Sequence, residues 1–347
     1  MRSHNPDKEP YIILNFDKVW RFVPMNRPGK EMIKWFLFNL FPFFTKKLAV
    51  YQNWKTARIF AENNTEIWSK KFWKRIIYHH YNLNFYQKNI GPNDKKNIEK
   101  IAIVLHVFYL DVFLEIIDLL KNSDFQDFKL FITTPEFLKE EISTILKAGS
   151  FQHSIFIIDN RGRDVLPFLK ILQYVFDEGY ELILKIHTKR SNHLKKRDLW
   201  KDDLFNKIIG KDCIGKVIHT FNQHQEIGMI GPSGHILPMA LYYGGNAQKV
   251  LSLSLEMGLK KEQLQNLHFT AGTMFYARKE ALIPVLNLGL TDQDFEPENN
   301  QLDGTLAHAM ERVFASGLIA SGLILADTNS NPGKITCRID LNHAFSL

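Results

Sequence analysis

An α/β domain with a mostly parallel sheet flanked by helices is the fold the sequence predicts for residues 96–330. From residue 101 onward, short apolar runs alternate with amphipathic stretches of helical period. Those runs are nearly continuous rather than alternately polar, as in strands buried on both faces. The polar residues suited to chemistry cluster just past the ends of these runs, where sheets of this kind bind ligands.

Residues 31–60 come first and read as helices with apolar and basic faces, EMIKWFLFNLFPFFTKKLAVY and then NWKTARIF, interrupted at Pro42. IWSKKFWKRIIYHHY is a second helical stretch, and GPNDKKNIEK, residues 91–100, is a polar, turn-prone boundary. Residues 1–95 thus form a basic, aromatic helical segment ahead of the domain. Within the domain IAIVLHVFY is a strand, DVFLEIIDLLKN a helix, FKLFITT a strand and EFLKEEISTILKAG a helix. SIFIIDN, DVLPFLKILQYVFDEG and YELILKIHT continue as strand, helix and strand. EIGMIGP and HFTAGTMFYAR are later strand candidates, TLAHAMERVFASG is a late helix, and residues 331–347 form a tail.

Charge divides the chain in the same place. The net +7 is regional: residues 1–100 hold 19 Lys+Arg and 8 Asp+Glu, whereas the remainder holds 25 and 29. Five of the six tryptophans (Trp20, Trp35, Trp54, Trp68, Trp73) lie in the basic part. Aromatic rings interleaved with Lys and Arg suit the interface of an anionic bilayer; equally, they suit helices packed on the domain. The first residues, MRSHNPDKEP, lack the apolar run of an export signal. Trp35 to Phe44, cut by Asn39 and Pro42, falls short of the roughly 18 to 20 residues a membrane span needs. Cys213 and Cys337 are far apart and in no metal-binding or redox spacing. A cytoplasmic protein, peripheral at the inner face of the membrane, is expected, with no nucleic acid among its partners.

Two strand ends carry the candidate site. SIFIIDN runs into Asn160-Arg161-Gly162-Arg163-Asp164, then a helix with Pro167 in its first turn. Two guanidiniums beside a helix N-terminus, with a glycine allowing close backbone approach, suit a diphosphate. Asp164 also reads as the N-cap of that helix. YELILKI delivers His187-Thr188-Lys189, whose imidazole and ammonium suit a phosphate leaving group. Gly272 lies in a run of small residues that permits close approach by a ligand or by neighbouring backbone. An acidic loop, Asp292 to Glu298, precedes Asp303 and a helix bearing His308, Glu311 and Arg312. Asp303 is the candidate base for a sugar hydroxyl, or else the cap of that helix. No G-x-G-x-x-G fingerprint, P-loop or G-x-S-x-G elbow is present, which lowers dinucleotide oxidoreductases, P-loop enzymes and α/β-hydrolases.

HVFYLDVF, IIDNRGRDVLPFL, YELILKIHTKRS, the stretch after Trp200, EIGMIGP, FTAGTMFYARKEAL and DFEPENNQLDGTLAHAMERVF lie in order across residues 101–315. Together they resemble the rhamnan synthesis protein F family of bacterial polysaccharide glycosyltransferases, with the first 95 residues outside the resemblance. The resemblance implies a GT-A-like domain that moves a sugar from a nucleotide-sugar donor to a lipid-linked or oligosaccharide acceptor of a surface polysaccharide of rhamnan, O-antigen or capsule type. It adds His106, which opens HVFYLDVF, to the donor-binding candidates Asn160, Arg161, Gly162, Arg163, Asp164, Lys189 and Gly272. His187 and Asp303 are then the catalytic candidates. Ordinary GT-A enzymes end the corresponding strand in a D-x-D that holds a divalent ion. Here that place reads His187-Thr188-Lys189, so protein cations are expected to replace the metal, and Asp292-Gln293-Asp294 is discounted by its position. The competing expectation is a non-catalytic glycan-binding or scaffold protein of a polysaccharide synthesis complex.

Overall fold

The computed structural model describes residues 27–61, 97–188, 197–299, 301–331 and 335–339. Strands form where the apolar runs lie: β1 (Ile101–His106), β2 (Phe128–Thr134), β3 (His153–Ile157), β4 (Leu182–His187), β5 (Ile227–Gly231), β6 (Ile236–Pro238), β7 (His268–Thr270), β8 (Phe275–Arg278) and β9 (Ile324–Asp327). Seven of them make one sheet in the order β3-β2-β1-β4-β8-β5-β9. Only β8 runs against its neighbours. β6 and β7 form a separate antiparallel pair. The expected mixed α/β architecture with a mostly parallel sheet is present.

Among the described residues, α1 (Arg27–Leu40), α2 (Pro42–Thr45) and α3 (Ala49–Ala57) precede the sheet. The break falls at Pro42, which cannot donate the backbone hydrogen bond that a continuous helix would need there. In the domain the connecting helices are α4 (Leu110–Lys121), α5 (Lys139–Ala148), α6 (Val165–Asp177), α7 (Arg197–Ile208), α8 (Cys213–Gln223), α9 (Ala247–Glu256), α10 (Lys279–Leu286) and α11 (Leu306–Ala320). Alternate strand residues feed two cores, one on each face of the sheet. Ala102, Val104, Ile183 and Phe275 pack with α6 and α11 on one face, whereas Ile101, Ile103, Leu105, Leu184 and Tyr276 pack with α4, α7 and α8 on the other.

HFTAGTMFYAR is not one strand. It splits into β7 and β8 around a turn in which Gly272 (φ +88°) and Thr273 (φ +57°) are both left-handed, a backbone no strand can accommodate. Described residues of the tail pack against the domain: Cys337 is buried, and Ile339 bridges Ile236 in parallel.

Residues 49–61 are part of the domain rather than a detached segment. Trp54, Ala57 and Phe60 lie in the same core as α6 and α11, and the Asn266 amide donates to the Phe60 carbonyl at 2.9 Å. Phe38 of α1 meets the Trp54 ring edge-on at 5.1 Å. IWSKKFWKRIIYHHY lies outside the described residues. Truncating Trp54, which is 3% exposed, to alanine is therefore expected to destabilise the domain by about 3–5 kcal/mol. Urea denaturation followed by fluorescence and by circular dichroism is expected to show one shared transition. A separate early transition with the main midpoint unchanged would mean that α3 folds apart from the sheet.

Candidate functional site at the carboxyl edge of the sheet

From β1 the chain builds outward through β2 and β3, then crosses back to place β4 on the other side of β1. The crevice between the carboxyl ends of β1 and β4 is thus the topological switch point, where connections diverge and a ligand finds room. His106 and His187 end these two strands as register neighbours. Lys185, two residues before His187, shares its face of the sheet.

Lys185 is 1% exposed, so its ammonium must find partners inside the protein. It donates to Asp164 Oδ2 at 2.5 Å and to the Thr273 carbonyl at 3.0 Å, and sits 5.4 Å from the centroid of the Phe168 ring. Nδ1 of His187 lies 3.4 Å from the same carboxylate oxygen. Asp164 does occupy the N-cap position of α6, but its side chain makes no cap hydrogen bond and turns to the ion pair instead. Nδ1 of His106 is 3.0 Å from Thr133 Oγ1. Burial pushes the His106 pKa from its ordinary 6.5 down to about 4, with Lys185 acting in the same direction and Asp164 opposing. Thr188 is structural: its Oγ1 accepts from the amides of Phe108 and Tyr109, at 2.8 and 3.1 Å, and so fixes the β1–α4 loop to the end of β4.

The 160–164 loop forms the adjoining wall, though differently from expectation. Asn160 is exposed. Arg161 donates through Nε and Nη2 to the Phe295 carbonyl, at 2.9 and 2.7 Å. Arg163 donates to the Gln301 carbonyl and to His308 Nε2, and its Nε lies 3.5 Å from Glu298. Both guanidiniums therefore clasp the 295–301 loop and build the wall beside the strand ends, contacts that sequence reasoning did not anticipate. Because a guanidinium only donates, Nε2 of His308 accepts from Arg163, while Nδ1 faces the N-cap of α11, 2.7 Å from Thr305 Oγ1 and 3.4 Å from the Thr305 amide. Gly162 (φ +65°) is required sterically: a Cβ there would lie 2.5 Å from Leu166 Cβ and 2.7 Å from Phe295 Cδ1.

Gly272 and Asp303 serve neighbouring structure. The Gly272 amide donates to Glu311 Oε1 at 2.6 Å, and a Cβ would meet Leu204 and Trp200 of α7 at 3.0 and 3.2 Å. Crowding by α7 thus accounts for this glycine. Asp303 is not the cap of α11, a position held by Thr305. It accepts from Asn246 Nδ2 at 2.7 Å and from the Gly245 amide at 2.9 Å. Burial raises its pKa, but Arg312 and these two donors outweigh that and hold it below the usual value. A carboxylate engaged at both oxygens and held acidic is a poor general base. Lys189 lies outside the described residues.

The carboxylates of the acidic loop are likewise committed. Asp292 pairs with Lys170 at 2.6 Å, Asp294 accepts from the amide and hydroxyl of Thr291, and Glu296 pairs with Lys249 while accepting from the Leu306 amide. Asp292 and Asp294 therefore do not fit a shared metal-holding pair, and among the described residues no three His, Cys, Asp or Glu side chains form a metal-binding group. Lys185 is a site residue that the sequence motifs do not single out, although a lysine inside the otherwise apolar run LILKI is a signal that a buried counter-charge exists.

A family model described as rhamnan synthesis protein F matches residues 50–321 of the chain. Two proteins from Xanthomonas campestris pv. campestris, strains B100 and ATCC 33913, are each 34% identical to it over 221 residues; both are named uncharacterized protein WxcX. The aligned part is 64% of this chain and 32% of each relative, so the chain spans about a third of the length of the relatives it matches. The family match begins inside α3, which corrects the expectation that the first 95 residues lie outside the resemblance and agrees with the burial of Trp54 and Phe60.

The strand-end histidine gives the fold an acid sensitivity. His106 takes up a proton near pH 6.5 when unfolded and only near pH 4 when folded, and half-buried His268 is lowered to about 4 as well by desolvation of its ring. Their contribution is fully present above about pH 6.5 and is lost as pH falls toward 4, at up to about 1.4 kcal/mol per pH unit for each group. Urea midpoints are expected to fall between pH 6.5 and 4.5, with a shallower fall in His106→Asn. An identical slope in that variant would show that His106 titrates alike in both states.

Proposed function

The chain belongs to the rhamnan synthesis protein F family, and from that membership we propose that it is a glycosyltransferase that moves a sugar from a nucleotide-sugar donor to a lipid-linked or oligosaccharide acceptor in bacterial surface-polysaccharide synthesis. The family's name ties it to making a polysaccharide, and the strand order, with β8 reversed beside β4, is compatible with a GT-A-like domain. One observation carries the reading: His106 and His187 meet at the switch point, on top of a buried Lys185–Asp164 pair.

In this reading the donor diphosphate lies across the ends of β1 and β4. Its leaving group develops negative charge, which preorganised donors stabilise most effectively where water is scarce. His187 supplies such a donor, Lys189 is proposed as a further one from its place in the sequence two residues on, and His106 and Lys185 form the floor. Lys185, Arg161 and Arg163 bring three positive charges to the wall, beside Asp164 and Glu298. Asp303 is not retained as the base, since its carboxylate holds the 244–246 loop. The reaction is proposed to need no divalent ion; what supports this is that the chain reads His187-Thr188-Lys189, not a carboxylate pair, at the end of β4.

Transfer assays with a panel of nucleotide-sugar donors and lipid-linked acceptors are the direct test. Turnover is expected to persist in excess EDTA and to fall by roughly 10²-fold or more in His187→Ala. Lys189→Ala is expected to weaken nucleoside diphosphate binding by about 1.5–3 kcal/mol by calorimetry. Full dependence on Mn²⁺ or Mg²⁺ would overturn the cation mechanism. Diphosphate binding without transfer to any acceptor would point instead to a glycan-binding or scaffold role.

A further inference from the structure

The N-terminal helices present two unlike faces. Glu31, Lys34 and Phe38, spaced to share one face of α1, turn toward the domain. Tyr243 Oη donates to Glu31 Oε1 at 3.0 Å, Lys34 Nζ reaches the same carboxylate at 2.7 Å and Tyr243 Oη at 3.0 Å, and Phe38 packs on Trp54. This polar lock fixes the rotation of α1 about its axis. It turns Met32, Phe36 and Leu40, one helical turn apart, outward, and all three are exposed. Pro42 then makes a corner at which Phe41 is exposed and Phe43 and Phe44 are 87% and 76% exposed.

Large apolar side chains exposed together on consecutive helices mark a binding site. Its charge names the occupant. Residues 32–61 hold five cations (Lys34, Lys46, Lys47, Lys55, Arg58) and no carboxylate, and Lys46 and Lys47 are exposed directly beside the Phe43–Phe44 corner. Among the described residues no helix is long and apolar enough to cross a membrane. An apolar face that is too short to span, bordered by cations and tipped with aromatic rings, is suited to lie in the headgroup region of an anionic bilayer. We propose that α1 and α2 seat this protein on an anionic membrane surface, with Phe43 and Phe44 entering the acyl boundary and Lys46 and Lys47 meeting lipid phosphates. Trp54, part of the aromatic composition that first suggests a membrane, has the opposite task and is buried against the domain.

The seating is independent of the reaction and is tested without it. Full-length protein is floated with vesicles of phosphatidylcholine alone and of equimolar phosphatidylcholine and phosphatidylglycerol, at low and high salt. Binding is expected to anionic vesicles only and to weaken with salt. Phe43→Asp/Phe44→Asp is expected to lose at least about tenfold in partitioning. Lys46→Gln/Lys47→Gln is expected to lose about fivefold per lysine at low salt. Phe137→Asp, at an exposed ring in the turn after β2 and outside α1 and α2, is expected to bind as wild type. Because Phe43 and Phe44 have little buried contact, the thermal midpoint of their variant should match wild type, which separates lost seating from lost folding. Three results overturn the proposal: no partitioning of wild-type protein at low salt, wild-type partitioning of the Phe43/Phe44 variant, or a dimer in light scattering that the same substitutions dissociate while vesicles bind neither form. The last would make the surface a contact between copies.

Discussion

The Lys185–Asp164 ion pair is the interaction on which the site depends. It joins a residue of the central strand β4 to the loop that follows β3, and through the Thr273 carbonyl it reaches the turn before β8. Three segments far apart in sequence are thereby held at one point beneath His187. Desolvating two charges is expensive, and such a pair rarely adds stability over apolar residues of equal volume. Its value is positional: removing either partner would leave the other charged in an apolar pocket, so the loop and strand have one stable arrangement.

Much of the architecture was legible because the period of the apolar residues is a local property. β1, β2, β4 and the helices α4, α5, α6 and α11 fall on runs whose pattern needs no tertiary information. The turn inside HFTAGTMFYAR is not legible in the sequence because its apolar run continues through Gly272 and Thr273, whose left-handed backbone and the crowding of Gly272 by Trp200 and Leu204 exist only in three dimensions. Composition likewise could not separate buried aromatic residues from exposed ones near the N-terminus. Trp54 and Phe44 look alike in a list, yet one is core and the other is surface.

Site residues divide along a similar line. His106 and His187 are placed by strand ends, which the apolar runs mark, and the topology then brings them together. Arg161, Arg163 and Asp303 look chemical in sequence because they are polar and lie in loops. In the fold each finds a backbone group to hold: the carbonyls of Phe295 and Gln301 for the arginines, and the Gly245 amide for the aspartate. A loop without regular secondary structure must satisfy its backbone polar groups with side chains, and these residues do so. Lys185 shows the converse, a charge hidden in an apolar strand whose purpose emerges only with its partner.

The sheet order also bears on how the chain reaches its native state. β1 finds β4 across about eighty intervening residues, and β4 finds β8 across roughly ninety more, whereas β1, β2 and β3 are joined by single helical crossovers. Pairings so distant in sequence form slowly, because a large loop must close before any contact compensates for the lost chain freedom. The β1–β3 half can therefore assemble early with the edge of β1 bare and Asp164 still lacking its lysine. During that interval the carboxyl-edge crevice does not exist, and a bare, apolar parallel edge is prone to pair with another chain. Completion of the fold and creation of the site are then the same event: the docking of β4.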